Sequence, residues 1–353
     1  MTQKDGRDPQ RDAGQGGARN VAVYGATGHT GRFVVGELLR RGFHPIAVAR
    51  DQAGLSAAGF QGGDVTRRVA AVDDAASLDR AFEGALAVVN CAGAFLDTAD
   101  AVAGAAVRAG IHYLDVTAEQ PSAAATLEDF DAPAIEAGVV VIPAMGFYGG
   151  FADLLATVAT DGWDSVDSID VMIGLDSWQP TRGTRLTGAR NTARRMVIEG
   201  GALVPVDLPA RERGWQFAAP IGPQPMLEVP FSEVVLIARH LAPTTLHTYL
   251  SANALGDIRN EATPAPSLDE TGRSPQHFAV EVVATSGDKH RRVKAAGRDI
   301  YAFSAPLVCE VVERILSPGF DHRGAFAPGE ILDAGDVLRA LTEGHITLAV
   351  DAR

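Results

Sequence analysis

The sequence predicts an α/β protein in which a doubly wound parallel sheet is followed by a second, α+β domain. Three observations lead to this prediction. Between residue 20 and about residue 142, short β-branched runs alternate with Ala-rich stretches of helical periodicity. Beyond residue 160 the predicted strands become longer and alternate between polar and apolar residues. The chain of 353 residues is also long enough for about two domains.

The first part of the chain is predicted to alternate strands with helices. We expect strands near residues 20–24, 45–49, 68–72, 86–90, 112–116 and 138–142. We expect helices near residues 30–41, 51–58, 76–83, 98–109 and 128–137. In the first helix, Val34, Val35, Leu38 and Leu39 form one apolar face, which predicts that this helix lies on the sheet.

The second part is predicted to begin with a helix that ends at Thr160. Strands follow at 166–175, 231–237, 244–254, 277–285 and 290–296, the last two joined as a hairpin by the turn at 286–288. The Pro- and Gly-containing run 257–275 is predicted to be a loop. The periodicity then predicts helices at 299–316 and 335–342 and a strand at 345–350.

These elements suggest four segments. Residues 1–18 are polar and are predicted to form a flexible tail. Residues 19–148 form the parallel-sheet domain, and residues 149–298 form a substrate and dimerisation domain of α+β type. We expect the helical segment 299–353 to pack back on the first domain, and the protein to be a homodimer.

Composition excludes several functional classes. The net charge of -13 argues against nucleic acid as a partner, because phosphate binding requires a basic face. Cys91 and Cys309 are far apart in sequence, which favours free thiols in a reducing cytoplasm. The sequence has no apolar run of membrane-spanning length and no apolar core of a signal peptide near residue 1. We therefore expect a cytoplasmic protein with no membrane partner.

A glycine-rich turn connects the first apolar strand to the first amphipathic helix. Gly25 suits a tight turn, Gly28 allows a close approach to a diphosphate, and Gly31 permits close helix packing. The backbone N–H groups at the helix start favour bound phosphate. The alternative is that these glycines only shape a βα turn. We predict a Rossmann-type dinucleotide site formed by Gly25, Ala26, Thr27, Gly28, His29, Thr30 and Gly31.

The residue that follows the second strand indicates which dinucleotide binds. An acidic residue at this position typically binds the ribose 2′-hydroxyl of NAD, whereas an arginine binds the 2′-phosphate of NADP. Arg50 stands here, and its guanidinium matches a phosphate. The neighbouring Asp51 is expected to cap the next helix. We therefore predict NADP(H) as the cofactor.

Several catalytic motifs are absent from the sequence. Lysine occurs only at Lys4, Lys289 and Lys294, so neither a phosphate-loop lysine nor a Tyr-x-x-x-Lys pair is present. The nine histidines form no His-Glu-x-x-His motif, and the two cysteines form no Cys-x-x-Cys motif, so we expect no metal site. No Gly-x-Ser-x-Gly turn occurs. A hydride-transfer mechanism requires none of these groups.

Six short motifs resemble the saccharopine dehydrogenase-like oxidoreductases, in particular the branch of trans-acting enoyl reductases. They are YGATGHTG at 24–31, VVNCAGAF at 88–95, AGIHYLDVTAE at 109–119, VIPAMGF at 141–147, RGT at 182–184 and GRDIYA at 297–302. The resemblance implies that the loop 90–95 runs past the cofactor ribose toward the nicotinamide. We therefore predict that Asn90, Cys91, Ala92 and Gly93 also bind the cofactor. Asp73 is a further predicted cofactor-binding residue.

Two segments depart from the family pattern. Gly93-Ala94-Phe95 replaces the usual Gly-Pro-Phe, and Tyr148-Gly149-Gly150 replaces an aspartate with Ser-x-Pro. The second departure lies where the family's substrate cleft is expected, so it affects the substrate more than the cofactor.

Three residues are candidates for proton transfer. Tyr148 lies on a Gly-rich turn at the expected cleft, and the alternative is that it packs as an aromatic wedge between the domains. Asp115 and Glu119 follow the fifth strand, where an apolar setting can raise a carboxyl pKa enough for acid catalysis. The alternative for Asp115 is a helix cap or an arginine partner.

An arginine-rich segment is the candidate substrate-binding region. Five arginines lie between residues 182 and 195, and Arg182, Arg185 and Arg190 are predicted to bind a carboxylate, a pantetheine phosphate or an acidic carrier protein. The alternative is a solvated helix face. Phe95 and Phe147 are predicted to contact the substrate.

The residues and the resemblance together lead us to expect an NADPH-dependent reductase. Its expected substrate is a conjugated C=C or C=N bond in a small molecule, free or tethered to a carrier protein, in specialised metabolism. An amino-acid dehydrogenase of the saccharopine type and a non-catalytic NADP-binding sensor or scaffold remain as alternatives.

Overall fold

The computed structural model describes residues 19–60 and 63–352, so the predicted tail at 1–18 lies outside the described residues. The first sheet is parallel throughout and contains β1 (Asn20–Tyr24), β2 (His44–Ala49), β3 (Thr66–Val69), β4 (Ala87–Asn90), β5 (His112–Asp115), β6 (Val140–Ile142) and β15 (Gly324–Ala325). The strand order is β15-β6-β5-β4-β1-β2-β3. The chain reverses direction across the sheet beside β1, as in a doubly wound fold.

Helices cover both faces of this sheet. They are α1 (His29–Arg40), α2 (Gln52–Ala57), α3 (Ala75–Phe82), α4 (Phe95–Arg108), α5 (Gln120–Asp129) and α6 (Asp131–Ala137). Val34, Val35 and Leu38 of α1 are buried on one face, and Leu78 and Val102 are buried on the other. The predicted helix at 128–137 is instead divided between α5 and α6 at Phe130.

The second sheet is mixed and has nine strands. They are β7 (Ser168–Leu175), β8 (Met196–Glu199), β9 (Ala202–Pro205), β10 (Glu212–Gln216), β11 (Pro223–Glu228), β12 (Thr245–Ser251), β13 (His277–Ser286), β14 (Lys289–Arg298) and β16 (Ile346–Ala352). The main order is β10-β11-β12-β7-β13-β14-β16, with β8 and β9 off this path. The predicted hairpin between β13 and β14 is present, with Gly287 at φ 56° in its turn.

The remaining helices join the two sheets. They are α7 (Gly150–Thr160), α8 (Arg182–Arg190), α9 (Glu233–Leu241), α10 (Ala252–Arg259), α11 (Ile300–Ile315), α12 (Pro328–Ile331) and α13 (Ala334–Leu341). The strand predicted at 231–237 is wrong, because this segment enters α9. Its apolar run buries Val234, Leu236 and Ile237 on a helix, and short apolar runs are compatible with either element.

The segment after residue 299 contributes to both sheets. α11 packs on α1, β15 pairs with β6 of the first sheet, and β16 pairs with β14 of the second. The two halves of the chain thus share one apolar core that runs from α1 through α7 to β13. Within residues 19–60 and 63–352, no helix combines the length and apolarity needed to cross a membrane.

Candidate functional site

A long cavity of about 670 Å³ lies at the carboxyl ends of β1, β2 and β4, and we call it the cofactor groove. Ligands of open α/β sheets bind at this edge. The predicted residues that line it are Gly25, Thr27, Gly28, His29, Arg50, Asp73, Cys91, Ala92 and Gly93. The groove therefore runs along the glycine-rich turn and ends beside the loop after β4.

Close packing explains two of the three glycines in the turn. Gly25 has φ +80°, and a Cβ on it would lie 2.9 Å from the Ala92 backbone nitrogen. A Cβ on Gly31 would overlap the carbonyl oxygen of Gly25, so Gly31 lets α1 pack against the turn. Residues with side chains at these positions would push the turn away from the loop after β4.

The start of α1 presents free backbone donors to the groove. The amides of Gly25 and Ala26 are occupied, since both donate to the Val48 carbonyl oxygen at 2.9 and 3.1 Å. The Arg32 amide donates to the Gly28 carbonyl oxygen at 3.1 Å, in the first turn of α1. The amides of the preceding helical residues are the donors that a helix start leaves unpaired. These donors and the helix dipole fit a diphosphate.

Arg50 and Asp51 take part in different interactions. The Arg50 side chain is 79% exposed and lines the cofactor groove. The Asp51 carboxylate accepts a hydrogen bond from the Gly54 amide at 2.6 Å and caps α2, as expected. Its oxygen lies 3.8 Å from the Arg50 guanidinium, a long ion pair between exposed groups. Arg50 is therefore available for a ribose phosphate.

Three predicted cofactor residues lie beneath the groove and not along it. Ala26 is fully buried, and Gly31 is also buried at the base of α1. Asn90 is fully buried, and its side-chain oxygen accepts a hydrogen bond from the Ala92 amide at 3.0 Å. Asn90 thus shapes the loop after β4, and its predicted direct contact with the cofactor is not supported by its position.

The cofactor groove continues into a smaller cavity of about 150 Å³, which we call the inner cavity. The two share His29, Cys91, Gly93, Thr181 and Gly183. Predicted residues that line the inner cavity are Thr30, Phe95, Phe147 and Tyr148. Val116, Ala118 and Ile300 complete a largely apolar wall. A reactive end of a ligand in the groove therefore meets an apolar chamber.

Tyr148 lines this chamber and has a buried hydroxyl without a partner in the described part of the chain. Its ring packs against Trp178 with centroids 5.3 Å apart and against Phe231 at 4.2 Å. Among the described residues its buried hydroxyl has no hydrogen-bond partner. Burial raises the pKa of Tyr148 well above its ordinary value, so the hydroxyl keeps its proton. The Tyr148 ring thus packs as the predicted aromatic wedge, and its hydroxyl is protonated.

Tyr301 is a site residue that sequence reasoning did not single out. Its hydroxyl accepts hydrogen bonds from the Trp178 indole at 2.9 Å and the Thr181 amide at 3.4 Å, and lies 2.8 Å from the Thr184 hydroxyl. Asp299 caps α11 through the Tyr301 amide and so fixes this ring. In the sequence, Tyr301 lies within the motif GRDIYA and Thr184 lies within the motif RGT. These two motifs, which are part of the family resemblance, were the signal that could have pointed to Tyr301.

Asp115 does not line the inner cavity. It is fully buried, and it accepts hydrogen bonds from the amides of Thr117 at 2.9 Å and Ala144 at 2.8 Å and from the Tyr113 hydroxyl at 2.9 Å. Burial raises the pKa of Asp115 to about 6, against the lowering effect of these hydrogen bonds. Asp115, the predicted acid, therefore connects the end of β5 to the end of β6 through its hydrogen bonds.

Glu119 is also placed away from the cavity surface. Its two carboxylate oxygens accept hydrogen bonds from the amides of Phe95 at 2.9 Å and Leu96 at 3.1 Å. These are the first amides of α4, so Glu119 acts as a cap from a distant part of the chain. Burial raises the pKa of Glu119. It positions Phe95 rather than taking part in proton transfer.

The predicted substrate-binding arginines separate into three locations around α8. Arg182 lines the cofactor groove, and Arg185 lines a larger groove of about 1130 Å³ on the other side of α8. Arg190 lines neither groove. Its guanidinium pairs with both carboxylate oxygens of Asp97 at 2.7 and 2.8 Å and attaches α8 to α4. The predicted substrate contact of Arg190 is therefore replaced by a contact between helices.

Residues 21–169 match the family model described as "Saccharopine dehydrogenase NADP binding domain". This match confirms the NADP(H) prediction and the family resemblance. A curated protein, "Divinyl chlorophyllide a 8-vinyl-reductase, chloroplastic" of Arabidopsis thaliana, is 58% identical over 36 residues, which cover 10% of this chain and 9% of that protein. The chain thus spans a small fraction of the length of this relative.

Among solved structures, apo saccharopine dehydrogenase (L-Glu forming) from Saccharomyces cerevisiae resembles the whole fold. Its TM-score is 0.67 at 13% identity, over 95% of this chain and 100% of that chain. At this identity the likeness concerns the fold alone. It confirms the predicted Rossmann-type sheet with a second α+β unit.

Proposed function

Because residues 21–169 match the family model of the saccharopine dehydrogenase NADP-binding domain, we propose that the chain is an NADPH-dependent reductase of a conjugated C=C or C=N bond. The observation that carries the proposal is the buried, unpartnered hydroxyl of Tyr148, a residue that lines the inner cavity next to the cofactor groove. A reduction by hydride transfer requires a proton donor at such a place.

NADPH supplies the hydride when bound. Arg50 would hold the 2′-phosphate, and the N-terminal amides of α1 would hold the diphosphate. Phe95, Phe147 and Val116 give the inner cavity an apolar surface that disfavours water. The reacting bond would lie against this surface, where electrostatic interactions are stronger than in bulk water.

Tyr148 donates the proton in this scheme. Its raised pKa keeps the hydroxyl neutral at physiological pH, and the absence of a protein partner leaves its hydrogen free for the substrate. Tyr301 already contacts Trp178 and Thr184, so its hydroxyl positions the start of α8. Among the two tyrosines of the cavity, Tyr148 is therefore the donor.

An amino-acid dehydrogenase of the saccharopine type is the second candidate. The match of residues 21–169 to the saccharopine dehydrogenase NADP-binding domain is compatible with it, and Arg185 in the larger groove beside α8 is a candidate partner for a carboxylate. A non-catalytic NADP-binding sensor or scaffold is the third candidate. Tethering of the substrate to a carrier protein remains part of the proposal for the first candidate only.

A substrate panel separates these candidates. NADPH oxidation is measured at 340 nm with α,β-unsaturated thioesters, cyclic imines, and 2-oxo acids together with amino acids. The proposal predicts turnover with an enoyl or imine substrate. Turnover restricted to oxo acids with amines supports the dehydrogenase. Tight NADPH binding without any turnover supports the sensor and contradicts the proposal.

Replacement of Tyr148 tests the assigned proton donor. Tyr148→Phe is expected to lower kcat by about 10²- to 10⁴-fold and to leave the Kd for NADPH unchanged, because the lost hydroxyl acts only on the substrate. Tyr249→Phe is the matched control, since Tyr249 is buried in a separate cluster of the second sheet. Full turnover by Tyr148→Phe would remove this residue from the mechanism.

A further inference from the structure

A further large cavity lies next to the inner cavity along α8. This outer groove has a volume of about 1130 Å³ and is bounded by α8, the segment after β9 and the end of α10. Thr184 of α8 lines both the outer groove and the inner cavity. The two spaces therefore meet at one turn of α8.

The size of the inner cavity limits what it holds. At about 150 Å³ it is smaller than the 300–1,000 Å³ typical of ligand pockets. It accommodates the reacting group but not the rest of a larger substrate. The outer groove is the adjacent space with sufficient volume.

Much of the outer groove has an apolar surface. Its apolar lining residues are Val206, Leu208, Pro209, Leu227, Val229, Leu255 and Ile258. Leu208 is 84% exposed, which is unusual for a large apolar side chain. A concave apolar surface with an exposed leucine at its edge fits an apolar ligand better than water.

Arginines without carboxylate partners also line this groove. They are Arg185, Arg194, Arg195 and Arg259, and none forms an ion pair among the described residues. Arg185 donates to the carbonyl oxygens of Asn260 at 3.3 Å and Thr263 at 2.9 Å, and Arg194 donates to that of Val206 at 3.2 Å. Arg195 interacts electrostatically with the buried Glu233 and, more weakly, with the like charge of Arg259. Such a cluster is stabilised by an anion.

The acidic residues of the groove offset most of the charge of the four arginines. The three carboxylates of the lining are Glu212, Glu261 and Glu228, and Glu228 contacts the His247 ring nitrogen at 2.6 Å. Four arginines and three glutamates leave the lining with one net positive charge in a chain of net charge -13. A net positive lining in a strongly acidic protein favours a negatively charged ligand.

We propose that the outer groove binds the non-reacting part of the substrate, and that this part is an apolar chain bearing an anionic group. The apolar walls take the chain, and the arginine cluster takes a carboxylate or a phosphate. The inference rests on the proposed function in taking the inner cavity as the place of reaction. It assigns a substrate class, an anionic amphiphile, to a site that the cofactor does not use.

Equilibrium binding tests this inference without any turnover. Octyl phosphate, octanoate and octanol are titrated calorimetrically into the NADP⁺-saturated protein below their micelle concentrations. We expect at least one anion to bind and octanol to bind about tenfold more weakly or worse, because a charge-assisted hydrogen bond contributes roughly 1.5–3 kcal/mol. The difference between octyl phosphate and octanoate identifies the preferred anion.

Two variants locate the site. Arg194→Gln combined with Arg259→Gln is expected to weaken anion binding by about tenfold or more and to leave octanol binding unchanged. Arg80→Gln is the matched control, because Arg80 is exposed on α3 and lines none of these cavities. An unchanged Kd for NADPH in both variants shows that the fold is intact.

Two results would overturn the inference. One is equal binding of octanol and both anions, and the other is undiminished anion binding by the double variant. The outcome is independent of the reductase proposal. If anions bind through the arginines and no reduction is found, the groove assignment stands and the reaction assignment fails. If reduction is found and no anion binds, the reverse holds.

Discussion

The Asp115 carboxylate has three hydrogen-bond donors and no access to solvent. Its folded pKa of about 6 exceeds the ordinary value of 3.8, because burial penalises the charge more than the donors stabilise it. The folded state therefore binds this proton more tightly than the unfolded state. The contribution of Asp115 to stability is complete below the unfolded pKa and decreases as pH rises toward about 6.

This shift predicts a measurable pH dependence. Between pH 4 and pH 7, Asp115 is expected to lower the free energy of unfolding by about 2.5 kcal/mol. Asp115→Asn retains acceptors for both amides and has no such titration, so its stability is expected to fall less over this range. Urea denaturation at both pH values provides the comparison. Equal pH dependence in the variant and the parent protein would contradict the assigned shift.

Arg50 offers a second prediction at the level of one residue. Arg50→Gln is expected to raise the Kd for NADPH by about 10- to 100-fold and to leave the Kd for NADH unchanged, because only NADPH carries the 2′-phosphate. Fluorescence titration with both cofactors measures the two constants. A similar loss of affinity for both cofactors would show that Arg50 does not select the phosphate.

At the level of elements, the helix pair α1 and α11 is joined by one arginine. The Arg41 guanidinium contacts Glu37 at 2.7 Å within α1, and Glu310 at 2.7 Å and Glu313 at 2.8 Å in α11. Arg41, Glu37 and Glu310 are largely buried, at 11%, 9% and 12% exposure. The network therefore fixes the helix that carries Tyr301 against the helix that starts the cofactor groove.

Removal of Arg41 is expected to destabilise the contact between α1 and α11. Arg41→Gln should lower the free energy of unfolding by about 3 kcal/mol, because it removes the buried cation shared by three carboxylates and leaves Glu37 and Glu310 with only the more exposed Arg40 and Arg314. Arg314→Gln is the control, since Arg314 contacts only Glu310 on its own helix and should cost about 0.5 kcal/mol. Chemical denaturation measures both values. Equal losses of stability in the two variants would show that the loss in Arg41→Gln comes from surface charge in general and not from its buried contacts.

The elements differ in how far the sequence predicted them. The glycine turn, α1 and the β13–β14 hairpin follow local rules of periodicity and turn formation, and their predictions are confirmed. β8 to β11 were not predicted, although β8 pairs with β9 and β10 pairs with β11 as local hairpins, because these strands are short and partly exposed. Leu203 of β9, for example, is 49% exposed, so no apolar alternation marks its strand.

The site shows the same division. The glycine turn and Arg50 could be predicted from local patterns, whereas the loop from Cys91 to Gly93 was predicted from the family resemblance. The cap of Glu119 on α4 and the ion pair of Arg190 with Asp97 join residues that are 24 and 93 positions apart. A sequence motif cannot distinguish a buried carboxylate that connects two loops from one that faces a substrate. Asp115 and Glu119 are both of the first kind in the structure, and their catalytic roles stay predictions.

In the whole molecule, the cofactor groove, the inner cavity and the outer groove meet at α8, between the two sheets. No residue of α8 is buried, and its pairing with Asp97 and Tyr301 holds it in place. In the proposed function, a cofactor would lie along the first sheet and a substrate along the second. The reacting atoms would then meet in the inner cavity, which Tyr148 lines.

A crystal structure of the NADP⁺ complex tests this arrangement most directly. We expect the 2′-phosphate to lie about 3 Å from the Arg50 guanidinium and the diphosphate to lie at the start of α1. We expect the nicotinamide ring to lie in the inner cavity, facing Tyr148. A complex in which the phosphate lies away from Arg50 and the nicotinamide ring lies outside the inner cavity would contradict this arrangement.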